Sequence, residues 1–197
     1  MLSSISPFGE RSRNSRWWIT VSAYLIGSIA GGVLTGAVAG GVGELAFVWL
    51  DAEAGLLVLA VAAAIGLAAD LRLAGLRVPS IHRQVNEDWL TTYRGWVYGA
   101  GFGFQLGLGF ATIVATSTVW LTFIAAAMTG SFVRAVLLGA LFGLARGALI
   151  LATARINDPA SLRNLFRTIA AQAPGVNHLA RVAAGLTAIT AVAGLVA

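Results

Sequence analysis

The sequence consists largely of apolar runs that approach or exceed the length needed to cross a lipid bilayer. A transmembrane helix needs about 20 apolar residues to span roughly 30 Å of hydrocarbon. Runs of this kind cover residues 17–50, 55–69, 95–130, 132–154 and 182–197. Only 11% of the residues are charged and 58% are hydrophobic, whereas about 25% are charged in soluble domains. We therefore predict an all-α, polytopic integral membrane helix bundle with one transmembrane domain over residues 17–197.

The basic residues predict how the chain is oriented. All thirteen are arginine, and with eight carboxylates the net charge is +5. They are spread over short loops, which is typical of membrane orientation, and they do not form the clustered basic face that nucleic acid requires. If each run crosses once, the arginine-rich regions share one side and the acidic turn at Asp51 and Glu53 lies opposite. We predict a bacterial inner-membrane protein with a cytoplasmic N-terminal tail (1–16), an outer C-terminus and no nucleic-acid partner.

The first and third runs are longer than a single crossing requires. At about 34 and 36 residues they would extend on the order of 50 Å as helices, so they must tilt, break or fold back. Glycines between Gly31 and Gly43 offer break points in the first run, and Thr116, Ser117 and Thr118 interrupt the third. We favour five crossings with two broken helices; a fold-back would raise the helix count to six or seven.

The two halves of the chain show a weak internal repeat. A shift of about 77 residues superposes Gly32 on Gly109 and Gly66-Leu67-Ala68 on the identical tripeptide at 143–145. The repeat halves would be about 17–76 and 94–153. Such repeats are typical of transporter folds, although a chain so rich in Gly, Ala and Leu also produces matches by composition alone.

A polar segment before the last apolar run has a helix-start pattern. Asp158 is a typical N-cap and Pro159 suits the first helical position. The apolar residues that follow recur at helical spacing, at Leu162, Leu165, Phe166 and Ile169. We predict an amphipathic helix over 159–173, either lying on the cytoplasmic membrane surface or packed on the bundle as a connector. A last transmembrane helix over 180–197 follows.

Arg146 is the most informative side chain, since it lies about a dozen residues inside an apolar run. An arginine at such depth costs at least ~2.5–3.5 kcal/mol on insertion scales, and a partner, a wet cavity or an anionic ligand usually offsets that cost. Glu44 and Asp70 are the candidate partners. The alternatives are a buried ion pair that joins two helices and an anion- or proton-linked site at the bundle centre.

Neutral polar residues complete the candidate substrate-binding set. Gln105 lies in a glycine-dense stretch, where glycines mainly permit helix packing and an amide can bond across the interface. Thr112 and Thr116 could bind a substrate at a helix break or satisfy their own backbone. The predicted set is Arg146, Gln105, Glu44, Asp70, Thr112 and Thr116.

The absence of cysteine removes a whole class of chemistry. With none in the sequence, disulfides, thiolate metal sites and thiol nucleophiles are excluded. We also find no Ser-His-Asp set, paired-carboxylate site or metal-ligand spacing. We predict no catalytic residues, no metal, no cofactor and no enzymatic activity.

The glycine pattern of the second half resembles a known family. The glycine-rich run 101–118 and the stretch 135–151 are similar to the membrane domain of the cytochrome c biogenesis protein CcdA and the thiol reductase DsbD. The resemblance covers about 95–155, with a weaker echo in 19–72. It implies broken first and fourth helices and electron transfer through a membrane cysteine pair. Since this chain has no cysteine, it would be a thiol-free relative reused for transport or as an accessory subunit.

Three functions are compatible with these features. The first is a transporter-like protein that binds or moves a small solute at a central site around Arg146. The second is a non-catalytic accessory or scaffold subunit that contacts a partner membrane protein or a second copy of itself within the bilayer. The third is the substrate-binding membrane subunit of a vitamin importer.

Overall fold

The computed structural model describes residues 5–46, 49–80, 89–112 and 114–196. Throughout these ranges the regular structure is helical. The α-helices are α1 (Pro7–Ser12), α2 (Trp17–Ala46), α3 (Ala52–Asp70), α4 (Trp89–Thr92), α5 (Gly95–Gly107), α6 (Thr118–Ala127), α7 (Phe132–Ala148) and α8 (Pro159–Val196). Short 3₁₀ segments cover Leu73–Gly75 and Leu149–Thr153. The chain is thus a helical membrane bundle, as predicted.

Helix α2 is the centre of the bundle. It packs against α5, α6 and α7. Gly99 of α5 lies against Thr20, and Gly107 lies against Ser28. Farther along, Gly43 of α2 lies against Ala127 of α6. Both α5 and α6 therefore run in the same direction as α2. Helix α7 runs the opposite way, since it begins beside Gly40 and passes Gly32 farther along its length.

The predicted break in the first run is wrong, because α2 is continuous from Trp17 to Ala46. Its glycines line the contact with α5 and α7, where a Cβ at Gly27, Gly31 or Gly32 would meet backbone atoms of a neighbouring helix. Glycine inside a helix is unfavourable by roughly 0.5–1 kcal/mol, but close helix packing in membranes favours small residues. Thirty helical residues extend about 45 Å, so α2 must tilt or reach beyond the hydrocarbon.

The predicted break in the third run is confirmed. Helix α5 ends at Gly107 and α6 begins at Thr118, and Gly109 between them has a φ of +76°, a conformation that glycine adopts at little cost. We name residues 108–117 the break. Helix α5 packs along the first part of α2 and α6 lies beside its last part. The two short helices therefore form one discontinuous path parallel to α2. Within the described ranges, four helices are long and apolar enough to cross a membrane. A crossing by the path of α5 and α6 would be the fifth, so the number of five crossings stays a prediction.

Helices α3 and α8 form an antiparallel pair beside this centre. Leu56 near the start of α3 meets Gly194, and Leu67 near its end meets Gly185. Helix α8 is continuous through Pro174, so the separate helices predicted over 159–173 and 180–197 are a single helix, and the prediction of two is wrong. A proline inside a helix removes one hydrogen bond and kinks the axis without having to end the helix.

The start of α8 is as predicted. The Asp158 carboxylate accepts hydrogen bonds from the backbone N–H groups of Ala160 and Ser161, both at 2.9 Å, and from the Ser161 hydroxyl at 2.6 Å. These bonds, with that of the Ser161 hydroxyl first, lower the pKa of Asp158. The carboxylate therefore stays ionised at neutral pH and caps the helix.

The N-terminal segment is not a free tail over residues 5–16, which corrects the prediction for 1–16. Ser6 caps α1 by accepting a hydrogen bond from the Gly9 N–H. The Ile5 carbonyl accepts from Trp17 Nε1 and from Thr153 Oγ1, both at 3.2 Å. Ile5, Ser6 and Glu10 are fully buried. This segment therefore closes one end of the bundle.

The two repeat halves share their element order, with a long path followed by an antiparallel helix in each. Their local structure differs at the matched glycines. Gly32 lies within a continuous helix, whereas Gly109 has a left-handed backbone inside the break. The repeat stays a prediction.

Candidate functional site

The break is the polar centre of the bundle, because a non-helical segment leaves backbone groups that need partners. In a membrane such groups must be satisfied within the protein. Side chains from α2, α3, α7 and the loop after α3 supply those partners. Thr35 Oγ1 donates to the Leu108 carbonyl at 3.3 Å, and Ser80 Oγ accepts from the Val114 N–H at 2.9 Å. The break is therefore fixed by residues distant in sequence.

Arg146 of α7 bonds directly to the break. Its Nη1 donates to the Gly109 carbonyl at 3.1 Å, and its Nη2 donates to Thr112 Oγ1 at 3.0 Å. The guanidinium also lies 5.4 Å from the centre of the Phe142 ring, within the range of a cation–π contact. Its hydrogen-bond partners are thus neutral oxygen atoms. An ion pair with Glu44 or Asp70, one of the two alternatives considered for Arg146, is absent from the described residues.

Asp70, the last residue of α3, bonds to a different part of the break. Its carboxylate accepts from the Ser117 N–H at 2.9 and 3.2 Å and from the Ser117 hydroxyl at 2.6 Å. Ser117 is the N-cap residue of α6, whose first N–H groups lack partners within the helix. A carboxylate there is also favoured by the helix dipole. Asp70 therefore ties the end of α3 to the beginning of α6.

Glu44 does not belong to the centre. It is exposed near the end of α2 and accepts a hydrogen bond at 3.0 Å from the backbone N–H of Phe132, the first residue of α7. Arg146 lies 14 residues later on α7, about 21 Å along its axis. Glu44 thus caps α7 from a neighbouring helix, and distance prevents it from pairing with Arg146.

The remaining predicted residues lie near the break but do not bond to Arg146. Thr116 shares a hydrogen bond of 2.7 Å with Thr118. Gln105 is half-buried in α5, and its amide makes no hydrogen bond with the described part of the chain. Of the predicted set, the structure therefore joins Arg146 to Thr112, and it places Asp70 and Thr116 at the far end of the same break.

Two polar contacts that the sequence analysis missed hold the central helices together. Ser28 Oγ donates to the Gly143 carbonyl at 2.6 Å, which joins α2 to α7. Thr35 joins α2 to the break, as described above. Both hydroxyls lie among the α2 glycines that contact neighbouring backbone, and this placement on the glycine face is the signal that could have identified them.

A buried carboxylate near the N-terminus was also missed. Glu10 accepts hydrogen bonds from Arg13 Nη2 at 2.8 Å, from Thr20 Oγ1 at 2.9 Å and from the Tyr98 hydroxyl. Burial by itself lowers the pKa of Arg13, but the hydrogen bonds to Glu10 and Tyr98 outweigh burial, so this pKa is raised. The sequence feature that could have identified it is that Glu10 is the only carboxylate before Glu44. We name Glu10, Arg13, Thr20 and Tyr98 the Glu10 cluster.

The side-chain types in this chain limit the reactions that it can carry out. The chain contains no cysteine, so its own side chains cannot carry out thiol–disulfide exchange; this does not exclude other reactions. Within the described ranges, no three His, Asp or Glu side chains gather as a metal site requires. The residues at the break offer hydroxyl, carbonyl and guanidinium groups, which form hydrogen bonds and orient the atoms that they bind.

Comparison with known proteins assigns the chain to a family. Residues 3–193 match the family model described as the cytochrome c biogenesis protein transmembrane region. The chain is 34% identical over 149 residues to the methylamine utilization protein MauF of Paracoccus versutus, which covers 74% of this chain and 54% of MauF. It is 33% identical over 149 residues to MauF of Paracoccus denitrificans, covering 74% and 53%. The chain thus spans about half the length of these relatives. No solved structure matches it.

The matched region is wider than the one on which the resemblance rested. The glycine pattern suggested similarity over about 95–155 with an echo in 19–72, whereas the family match extends from residue 3 to residue 193. The resemblance is therefore confirmed, and the chain belongs to the family of the cytochrome c biogenesis protein transmembrane region.

Proposed function

We propose that this chain is a membrane-embedded accessory protein that binds a partner protein and carries out no thiol chemistry of its own. We place it in a bacterial inner membrane with its N-terminus in the cytoplasm. The proposal adopts the second of the three functions considered above. Nothing in the family match favours the third, the subunit of a vitamin importer.

The observation that carries this proposal is the closure of the break by the protein itself. Arg146, Thr35, Asp70 and Ser80 each bond to backbone or side-chain atoms of the break. Among the described residues, no buried side-chain nitrogen or oxygen of this centre lacks a hydrogen-bond partner. A solute site needs polar groups that the ligand can satisfy, whereas this centre has used those groups to fix helix positions.

The relatives support an accessory role by their name. MauF is called a methylamine utilization protein, and the family to which the chain belongs is named for the biogenesis of another protein. A member without cysteine retains the helical scaffold and lacks the thiols. Such a scaffold can still act by holding a partner in the membrane.

The first half of α8 offers a surface for that partner. Phe166 and Ile169 of the predicted apolar stripe are 41% and 42% exposed, and Val176 beyond it is 59% exposed. Helix α8 has 38 residues and extends about 57 Å, and the contacts with α3 described above lie in its second half. An amphipathic helix can place its apolar face in a groove of a partner protein.

Site-specific photocrosslinking tests the partner. Benzoylphenylalanine placed at Phe166 or Ile169 in native membranes is expected to give one discrete protein adduct. Thr168 is exposed, lies off the stripe on the same helix and is the matched control, at which little adduct should form. Adducts with lipid alone at Phe166 and Ile169, or equal adducts at Thr168, would contradict the proposal.

A solute site at Arg146 is the second candidate, because its charge has no carboxylate partner among the described residues. Substitution separates the two functions. If Arg146 only stabilises the fold, Arg146→Leu leaves two acceptors unpaired and should lower the free energy of unfolding by about 1–3 kcal/mol. Arg146→Lys, which keeps the charge and can still donate, should lower it less.

The measurement is unfolding in detergent micelles with and without small inorganic and carboxylate anions, with Arg134→Leu as the control on the same helix. Arg134 is exposed, so its loss should change little. A wild-type protein that an anion stabilises, together with an Arg146→Leu variant that folds normally but no longer responds, would favour the solute site and reject the purely structural role.

A further inference from the structure

A cavity of about 480 Å³ lies at the end of α3. Asp70 and Ser80, which help to close the break, form part of its lining. Its lining includes Arg72 and Arg77 after α3, and Arg181 and Asn177 of α8. Val114 and Ala115 of the break form another part of the wall. Three separate segments of the chain thus meet around one space.

The described part of the lining carries an excess of positive charge. Among its residues, Arg72, Arg77 and Arg181 contribute three guanidinium groups against the single carboxylate of Asp70, which is already engaged by Ser117. No ion pair between described residues includes any of these arginines. A space lined by several guanidinium groups favours an anion, and the planar donor fork of arginine matches a phosphate group in particular.

The loop that carries two of these arginines is held in place. Arg72 and Ala74 have φ values of 55° and 50°, a left-handed conformation that non-glycine residues seldom adopt without a structural cause. At the far end of the loop, the Pro79 carbonyl accepts from Trp120 Nε1 at 2.9 Å and Ser80 bonds to Val114. The cavity wall is therefore anchored to α6 and to the break.

Exposed leucines alternate with the arginines of this loop. Leu71, Leu73 and Leu76 are 45%, 54% and 44% exposed, and they flank Arg72 and Arg77 in sequence. Free phosphate in water would not require apolar side chains beside its site. A phospholipid has both features, since its phosphate is anionic and its acyl chains are apolar. Arginines near a membrane surface attract anionic lipids.

We propose that this cavity binds the phosphate group of an anionic phospholipid, with Arg72, Arg77 and Arg181 as its ligands and the exposed leucines against the acyl chains. The phosphate ligands differ from the residues that carry the accessory role, because the inference uses neither Arg146 nor the stripe on α8, and it shares with that role only the lining residues Asp70 and Ser80. Its chemistry is recognition of a phosphate oxyanion, which inorganic phosphate could also supply, so the test includes both sources.

The test measures binding to the purified full chain in detergent micelles. The probes are dioleoylphosphatidylglycerol, dioleoylphosphatidylcholine and inorganic phosphate, titrated while the midpoint of thermal unfolding is followed. The anionic lipid is expected to bind at least about tenfold more tightly than the zwitterionic one. Arg77→Gln and Arg181→Gln should each weaken its binding by about tenfold, as expected for loss of one charge-assisted contact. Arg167→Gln, an exposed arginine on α8 away from the cavity, should leave binding unchanged.

Three results would overturn the proposal. The first is equal binding of the two lipids, and the second is an equal loss of binding in Arg167→Gln, which would indicate a general surface attraction. The third is binding of inorganic phosphate as tight as that of the anionic lipid, which would assign the cavity to the free anion. Because Arg77 is exposed, Arg77→Gln should fold as the wild type does, and an unchanged unfolding midpoint without lipid checks this.

Discussion

Replacing Gly32 by alanine is expected to destabilise the protein by about 1–3 kcal/mol or more, the range for forcing extra volume into a packed interior. A Cβ at Gly32 would lie against the carbonyl oxygen of Gly139 and also close to Gly143. These are backbone atoms of α7, which cannot move aside as a flexible side chain can. Helices α2 and α7 would have to separate, and the Ser28 bond to Gly143 would lengthen or break.

Gly41 provides the matched control on the same helix, because a Cβ there would meet nothing within 4 Å. Gly41→Ala should stabilise the protein by up to roughly 0.5–1 kcal/mol, since alanine loses less conformational entropy than glycine on folding. Reversible unfolding in mixed micelles measures both variants. Equal effects at the two positions would show that the α2 glycines do not act through contact with α7.

Removing the Glu10 carboxylate is expected to have the second large effect. Glu10→Ala leaves Arg13, Thr20 and Tyr98 without their shared acceptor. Breaking a buried charge pair by removing one partner costs about 3–5 kcal/mol. The lower part of that range is expected, because the Arg13 side chain is 26% exposed and solvent reduces the penalty.

Two variants separate the contributions to this effect. Glu10→Gln keeps an acceptor oxygen and the side-chain volume but loses the charge, so it should cost less than Glu10→Ala. Glu53→Ala removes an exposed carboxylate near the start of α3 and should stay within about 0.5 kcal/mol. Unfolding in micelles gives all three values, and protease sensitivity of residues 5–16 reports release of the segment. A Glu10→Ala protein as stable as Glu53→Ala would refute the structural role of the Glu10 cluster.

The fold could be predicted from sequence where a local pattern decides the structure. The apolar runs, the polar interruption near Thr116 to Thr118 and the Asp158 cap each act over a few residues. The structure has helices in the apolar runs, a break that ends at Ser117 and a helix that begins after Asp158. The glycines of α2 were misinterpreted because glycine both weakens a helix and permits close packing. Which effect prevails depends on whether another backbone lies against it, and that is a tertiary property.

The candidate site could be predicted only in part for the same reason. Arg146 was identifiable because a charge within an apolar run is unfavourable and must be compensated. Its partners were not, since neutral carbonyl and hydroxyl oxygens occur all along the chain and leave no distinctive pattern. Glu10 was overlooked because a short polar segment before the first apolar run has the composition of a solvated tail.

The sequence alone determined that this chain is a multi-pass helical membrane protein, that its third apolar run is interrupted and to which family the chain belongs. Apolar length, polar interruption and glycine spacing are local and suffice for these. The tertiary structure alone decided that α2 continues through its glycines, that neutral oxygens bind Arg146 and that residues 5–16 enclose Glu10. Those outcomes depend on contacts between distant residues, such as the bond from Ser28 to Gly143, 115 positions apart, because packing chooses among partners that the local sequence leaves equivalent.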